Sequence, residues 1–371
     1  MAESAREERF QAAAAVLRRR MVRRIAAAGG LTDPAWRAAF EAVPRHVFVP
    51  AQDELPGGVL RELAAAYADQ PIGTLVQDGE LVSSSSQPSL MALMCEALEV
   101  RDGQRVLEIG AGTGYNAALL AHRLGPDAVT TVDLDEEITA AARAHLTAYG
   151  TAEARGVTVV TGDGALGYPP RAPYDRVIAT CELPAVPPAW LEQCRPGARV
   201  LLPFATGLLA LTVHGPQRAE GRFLHTPAFF VPMRGPAAER AARMPLAGPG
   251  TAHERPTEAP PRVAGNDLFR FLLTLVAGRL DIEWSPFTGG SQLRSADGST
   301  AVALPDHTVR VSGPRDLWAL VEAAHTVFLA RSHPSRPRFG LSVDGARQWT
   351  WLDDPYGPDT WPVRAAEALG P

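Results

Sequence analysis

Residues 105–115 read Arg-Val-Leu-Glu-Ile-Gly-Ala-Gly-Thr-Gly-Tyr, a short apolar run that breaks at Gly110, Gly112 and Gly114. That pattern suits a buried strand turning sharply into a helix. Glycine alone accepts positive φ cheaply and lets backbone approach a ligand closely. The stretch from Tyr115 to Leu124 supplies the helix, so the junction reads as a nucleotide-like cofactor site in an α/β sheet.

Two cofactors compete for such a loop. The dinucleotide fingerprint is G-x-G-x-x-G, and counted from Gly110 its third glycine position holds Tyr115, a bulky residue where close helix-to-strand packing wants none. A G-x-G-x-G loop with an acid inside its strand, here Glu108, resembles instead the first motif of class I S-adenosyl-L-methionine (SAM) methyltransferases. Asp133 closes the next apolar run, Ala128 to Asp133, and is placed to accept from ribose hydroxyls with either cofactor. Asp163, followed by Gly164, ends a third, β-branched run. The methyltransferase resemblance implies an adenine contact there.

Composition bounds the alternatives. A chain of 371 residues, 46% hydrophobic and 21% charged, can bury the cores of two or three domains. Its net charge of −5 gives no general attraction to phosphate, so nucleic acid is not the expected partner. No apolar run approaches the length of a membrane span, and the N-terminus lacks the basic-then-apolar order of a signal peptide. The expected location is the cytoplasm. Cys95, Cys181 and Cys194 have neither metal-ligand spacing nor a disulfide pattern, so no metal is expected. The basic run Arg18-Arg19-Arg20 with Arg23 and Arg24 reads as a solvated helix face or as a grip for an acidic peptide.

Along the chain, helices are expected at 5–28, 34–42, 60–67 and 88–99. An alternating core follows, with strands at 105–109, 128–132, 157–161, 174–180 and 198–203 and helices at 115–124, 135–149 and 187–194. Alternation of this kind predicts a doubly wound, Rossmann-like parallel sheet whose ligand lies beyond the strands' carboxyl ends. Leu208–His214 and Arg222–Val231 read as a closing hairpin. The expected organisation is an N-terminal helical, substrate-side region (1–80), a methyltransferase domain (81–231), a Pro/Ala/Gly-rich linker or loop (232–261) and a C-terminal α+β domain (262–371). Five tryptophans of the last part, Trp284, Trp318, Trp349, Trp351 and Trp361, read as packing mass for a small core.

Ahead of the glycine loop stand Val43-Pro44-Arg45-His46-Val47-Phe48-Val49-Pro50, then Tyr67-Ala68-Asp69, then Ser83-Ser84-Ser85-Ser86-Gln87-Pro88. This order resembles the protein-L-isoaspartate O-methyltransferase family over about residues 30–215. The resemblance implies Ser86, with Ser85 beside it, at the acceptor, and Glu108, Gly110, Gly112, Gly114, Asp133, Asp163 and Gly164 at the cofactor. The chemistry agrees with it. A side-chain carboxylate is already ionised at neutral pH, so attack on a sulfonium methyl group needs aim more than a base. A serine hydroxyl can hold one carboxylate oxygen while the other faces the methyl group. The simpler reading makes the serines a cap for the helix near Pro88. His46, His122 and His145 read as structural or solvated. Thr180-Cys181-Glu182-Leu183-Pro184 lacks the Asn/Asp-Pro-Pro-Tyr turn of amino-group methyltransferases, which favours an oxygen acceptor.

Two stretches depart from the repair enzymes of that family. Extra residues fall within Leu75–Ser83, and the chain runs well past the glycine-loop domain. The tail, including Arg338–Val343 and Trp351–Pro358, is similar to methyltransferases found with ATP-grasp (graspetide) peptide maturases and, more loosely, with lanthipeptide enzymes. That resemblance implies an aspartate acceptor in a macrocyclised ribosomal peptide. Its ester would close to an aspartimide, and the C-terminal part would be either a recognition surface or a scaffold. The wider family implies isoaspartate repair instead. Both expect S-adenosyl-L-homocysteine as the second product.

Overall fold

The computed structural model describes residues 2–49, 59–236 and 252–363. Two compact units divide the chain: Met1–Cys181 with Gln193–Leu201, and Glu182–Glu192 with Leu202–Pro371.

The first unit opens with helices α1 (Ala2–Ala27), α2 (Pro34–Ala42) and α3 (Val59–Ala66). Asp33 caps α2, accepting from Ala35 N at 2.8 Å, with proline at the first turn as the sequence predicts. A hairpin, β1 (Ile72–Gln77) and β2 (Glu80–Ser85), leads into α4 (Pro88–Ala97). Then come β3 (Val106–Ile109), α5 (Tyr115–Leu124), β4 (Val129–Asp133), α6 (Glu136–Tyr149), α7 (Ala152–Arg155), β5 (Thr158–Thr161) and β6 (Tyr174–Ala179). After α8 (Pro188–Glu192), β7 (Cys194–Phe204) completes a parallel ladder in the order β7-β6-β3-β4-β5.

That order winds outward in both directions from β3, so the strand order reverses between β3 and β6. Ligands of doubly wound sheets bind at this switch point. Every residue of β3 is buried, Glu108 included, which suits a strand covered on both faces.

In the second unit, β8 (Gly207–Gly215), β9 (Arg218–Pro227), β15 (Phe339–Asp344), β16 (Arg347–Leu352) and β17 (Thr360–Pro362) form an antiparallel ladder ordered β17-β16-β15-β9-β8. A separate sheet, ordered β10-β14-β13-β12-β11, joins β10 (His253–Pro256), β11 (Asp281–Trp284), β12 (Ser291–Arg294), β13 (Thr300–Ala303) and β14 (Thr308–Ser312). Helices α9 (Asp267–Ala277) and α10 (Leu317–Ala330) pack on each other and bury Phe269, Phe271, Leu272 and Trp318. Trp349 and Trp351 are buried as well, in line with the packing role expected of these aromatics. Of the Pro-rich stretch 232–261, residues 237–251 lie outside the described residues, and His253–Pro256 is a strand paired with β14.

One contact in this unit spans a long stretch of sequence. The buried Gln348 amide accepts from Val186 N at 2.9 Å and donates to Val186 O at 2.7 Å, standing in for a strand partner of the 182–192 segment. No described helix is long and apolar enough to cross a membrane.

Candidate active site

The glycine loop leaves β3 with Gly110, Gly112 and Gly114 at φ of 96°, 50° and 84°. Such angles strain any residue with a Cβ. At Gly110 space is also lacking: an added Cβ would meet Thr180 Oγ1 at 2.5 Å. Thr180, just past β6, donates that hydroxyl to Gly110 O at 2.8 Å, tying the two strand ends across the switch point. Gly164 is likewise pressed against Ile109, whose Cγ2 an added Cβ would meet at 2.6 Å. His145 holds the loop from α6, its Nδ1 lying 2.9 Å from Thr113 O.

Three acids surround the loop. Asp133, at the end of β4, accepts from Gly112 N at 3.1 Å. Asp163 follows β5 and accepts from Ala165 N at 2.9 Å, shaping the turn that carries Gly164. Glu108 is wholly buried, and Asn116 Nδ2 donates to its Oε1 at 2.7 Å. The other oxygen, Oε2, is buried without a hydrogen-bond partner among the described residues. Burial pushes the Glu108 carboxyl up to about 7, although the nearby Thr131 and Asn116 groups favour its charged form. An orphaned buried carboxylate oxygen beside a glycine cradle fits a cofactor that carries a cationic, hydrogen-bonding group.

The serine run reaches the same place from the other side. β2 ends at Ser85, and Ser86-Gln87 turn into α4. Gly112 lies under this run, so a Cβ there would stand 3.6 Å from Ser84 O and 3.9 Å from Ser83 Oγ. The serines do not cap α4. Gln87 occupies the cap position without a side-chain bond to the helix backbone, its Nε2 donating to Ser89 Oγ at 2.9 Å, and Asp69 Oδ1 accepts from Ser89 N at 2.8 Å instead. Ser83 accepts from the Thr74 hydroxyl at 2.9 Å, Ser85 is buried, and Ser86 remains partly exposed.

Arg45 organises this turn. It is fully buried, and its guanidinium donates to the Ser85 hydroxyl at 3.3 Å and to the carbonyls of Ser85 and Ser86 at 3.2 and 3.1 Å. Further donations reach Ala66 O, Ala68 O and Gln70 O at 2.9, 3.2 and 3.2 Å. The Val43-Pro44-Arg45, Tyr67-Ala68-Asp69 and serine motifs are therefore one clamp, joined through a single side chain. Ser85 is buried and its hydroxyl faces Arg45, whereas Ser86 is partly exposed. Sequence reasoning quoted Arg45 within its motif but gave it no role. Thr180 stands in a strand-end turn and Asn116 in the helix after the glycine loop, but nothing in the sequence gives either side chain a role. His46 is structural as expected, with Nδ1 2.7 Å from the Tyr67 hydroxyl, and burial lowers its pKa.

A doubly wound sheet with this cradle and these acids defines a SAM-dependent methyltransferase. The family model described as Protein-L-isoaspartate(D-aspartate) O-methyltransferase (PCMT) matches residues 17–231, more than half of the chain. The chain is 40% identical over 187 residues to the protein-L-isoaspartate O-methyltransferase of Methanopyrus kandleri, covering 50% of this chain and 76% of that one. It is also 40% identical over 217 residues to protein-L-isoaspartate O-methyltransferase 1 of an Anaeromyxobacter species, covering 57% and 93%. A solved structure titled protein-L-isoaspartate O-methyltransferase shares the fold over 93% of this chain and 98% of its own, with TM-score 0.55 and 24% identity. The chain belongs to the protein-L-isoaspartate O-methyltransferase family. It is a SAM-dependent protein carboxyl O-methyltransferase.

Proposed function

We propose that the enzyme methylates the free carboxylate of isoaspartyl residues in a protein or peptide. The observation that carries this reading is the serine turn, clamped by Arg45 directly over the cofactor loop. When bound, SAM supplies a methyl group on an electrophilic sulfonium centre. Glu108, Gly110, Gly112, Gly114, Asp133, Asp163 and Gly164 would hold it. Ser86 Oγ–H would donate to one acceptor oxygen and leave the other free to attack. No base is required, since the carboxylate is already charged at neutral pH. Holding two reactants in a near-attack geometry can lower a barrier by roughly 7–11 kcal/mol.

The resemblance of the tail to peptide-maturation methyltransferases implies a second reading, in which the acceptor is an ordinary aspartate of a macrocyclised ribosomal peptide and the ester closes to an aspartimide. The C-terminal residues do not by themselves favour it. The solved structure titled protein-L-isoaspartate O-methyltransferase is matched over nearly the whole of this chain, so the extension is compatible with either reading.

Mass spectrometry with SAM and three peptides separates the two: linear aspartyl, linear isoaspartyl and macrocyclised aspartyl. Methyl gain on the linear isoaspartyl peptide supports the first. Methyl gain followed by methanol loss only on the cyclised form replaces it with the second.

A further inference from the structure

The extra residues before Ser86 form the two-stranded β1–β2 hairpin, closed by Asp78 and Gly79 at φ of 53° and 82°. Two consecutive positive φ angles match a tight turn whose twist suits paired strands. At the tip, Val76 and Leu81 are direct cross-strand partners, 62% and 45% exposed. Other exposed large apolar residues, such as Phe287 and Tyr356, are separate in sequence and need no explanation singly. An adjoining pair on a narrow arm is different. Directly opposed side chains stand about 5 Å apart and form one continuous apolar spot.

The arm is anchored at both ends of the site. Its base runs into Ser85 and the Arg45 clamp, and Thr74 bonds Ser83 across it. Near the tip, Gln77 Nε2 reaches Asp135 Oδ2 at 3.4 Å, two residues beyond Asp133. A two-stranded hairpin alone is marginally stable in water. These ties therefore hold an exposed apolar tip where an acceptor chain leaving Ser86 would pass.

We infer that this hairpin is a substrate-gripping arm whose Val76 and Leu81 bind an apolar side chain of the acceptor peptide. The inference rests on the carboxylate being presented at Ser86, as proposed above. Leu81 precedes Ser86 by five residues, about 16 Å along an extended strand at roughly 3.3 Å per residue. An extended acceptor advances at the same rate, so the preferred apolar residue lies about five positions from the methylated one.

The test uses the full-length enzyme, wild type and Val76→Ser/Leu81→Ser, whose changes fall on exposed positions. Fluorescent isoaspartyl peptides carry leucine or serine five positions from the isoaspartate, on either side. Anisotropy measures peptide binding and methyl transfer is followed separately. For the leucine peptide, the variant should show KM and Kd raised roughly tenfold, the effect of losing about 1.4 kcal/mol of apolar contact, with kcat and S-adenosyl-L-homocysteine affinity unchanged. The serine peptide should bind both enzymes equally. Equal wild-type affinity for both peptides overturns the arm. So does a variant that changes only the oligomeric mass by light scattering, since the pair would then be a self-contact. Leucine-dependent binding without methyl gain on any peptide supports the arm and overturns the isoaspartyl reading.

Discussion

Arg45 donates from Nε to the Ser85 hydroxyl at 3.3 Å, and from the same guanidinium to the carbonyl of Ser86, the next residue along. One buried cation thereby sets the backbone of the serine turn, and its six bonds among the described residues all go to neutral oxygens.

Replacing Arg45 with lysine keeps the charge but not the planar fork that spans these oxygens. Arg45→Lys should lower stability by roughly 2–4 kcal/mol, as expected when buried acceptors lose their donors. Methyl transfer should fall at least tenfold in protein that is still folded. Urea unfolding and initial rates measure the two effects, and unchanged rates would remove Arg45 from the clamp.

The proposed reading gives Ser86 to the acceptor and Asp133 to the cofactor. Ser86→Ala should slow methyl transfer by roughly ten- to a hundredfold, the worth of about 1.5–3 kcal/mol for a hydrogen bond to a charged group, with cofactor affinity nearly intact. Asp133→Ala should mainly weaken cofactor binding. Calorimetric titration with S-adenosyl-L-homocysteine separates the two, and equal loss of affinity in both variants would refute the division.

Gly110 has neither the backbone angle nor the room for a side chain, with φ at 96° and Thr180 Oγ1 2.5 Å from an added Cβ. Gly110→Ala should abolish measurable cofactor binding. The added Thr180→Ala change should recover only part of it, because the strain of about 1–2 kcal/mol at positive φ remains. Full recovery in the double variant would show that crowding alone mattered.

Glu108 couples the site to pH. Burial raises its carboxyl from 4.5 to about 7 in the folded chain, so between these values the folded state holds a proton the unfolded state has lost. Stability is therefore greatest below about 4.5 from this group, falls as pH rises towards 7, and levels off above, by up to about 3 kcal/mol. Glu108→Gln should flatten that slope in denaturant titrations from pH 4.5 to 7.5. A variant with the wild-type slope would assign the proton elsewhere.

The parallel core was legible because three of its strands, β3, β4 and β5, run into a glycine or an acid: Tyr115–Leu124 is a helix with the limits expected, and β3 begins one residue later than read. The Leu75–Ser83 insertion was visible as a departure but not as a hairpin, since its alternation is broken by register irregularities between Gly73 and Val76. Arg45 is visible within its motif, but its role is not. Its partners come from three separate stretches, and no local periodicity links a buried arginine to carbonyls 21 to 41 residues away. Sheet partners such as β9 and β15 were equally hidden, because pairing over that separation leaves no short-range signal.

The Gln348 amide that brackets Val186 shows that recognisable ancestry and cooperative folding end at different points along this polypeptide. Residues 182–192 fall inside the family match, yet their main chain is completed by a side chain contributed more than a hundred positions beyond its limit. A shortened gene stopping at residue 231 would strip that support and leave the Val186 backbone N–H and C=O without this partner. Inactivity of such a fragment would report damage to the 182–192 segment as readily as a recognition role for what was removed.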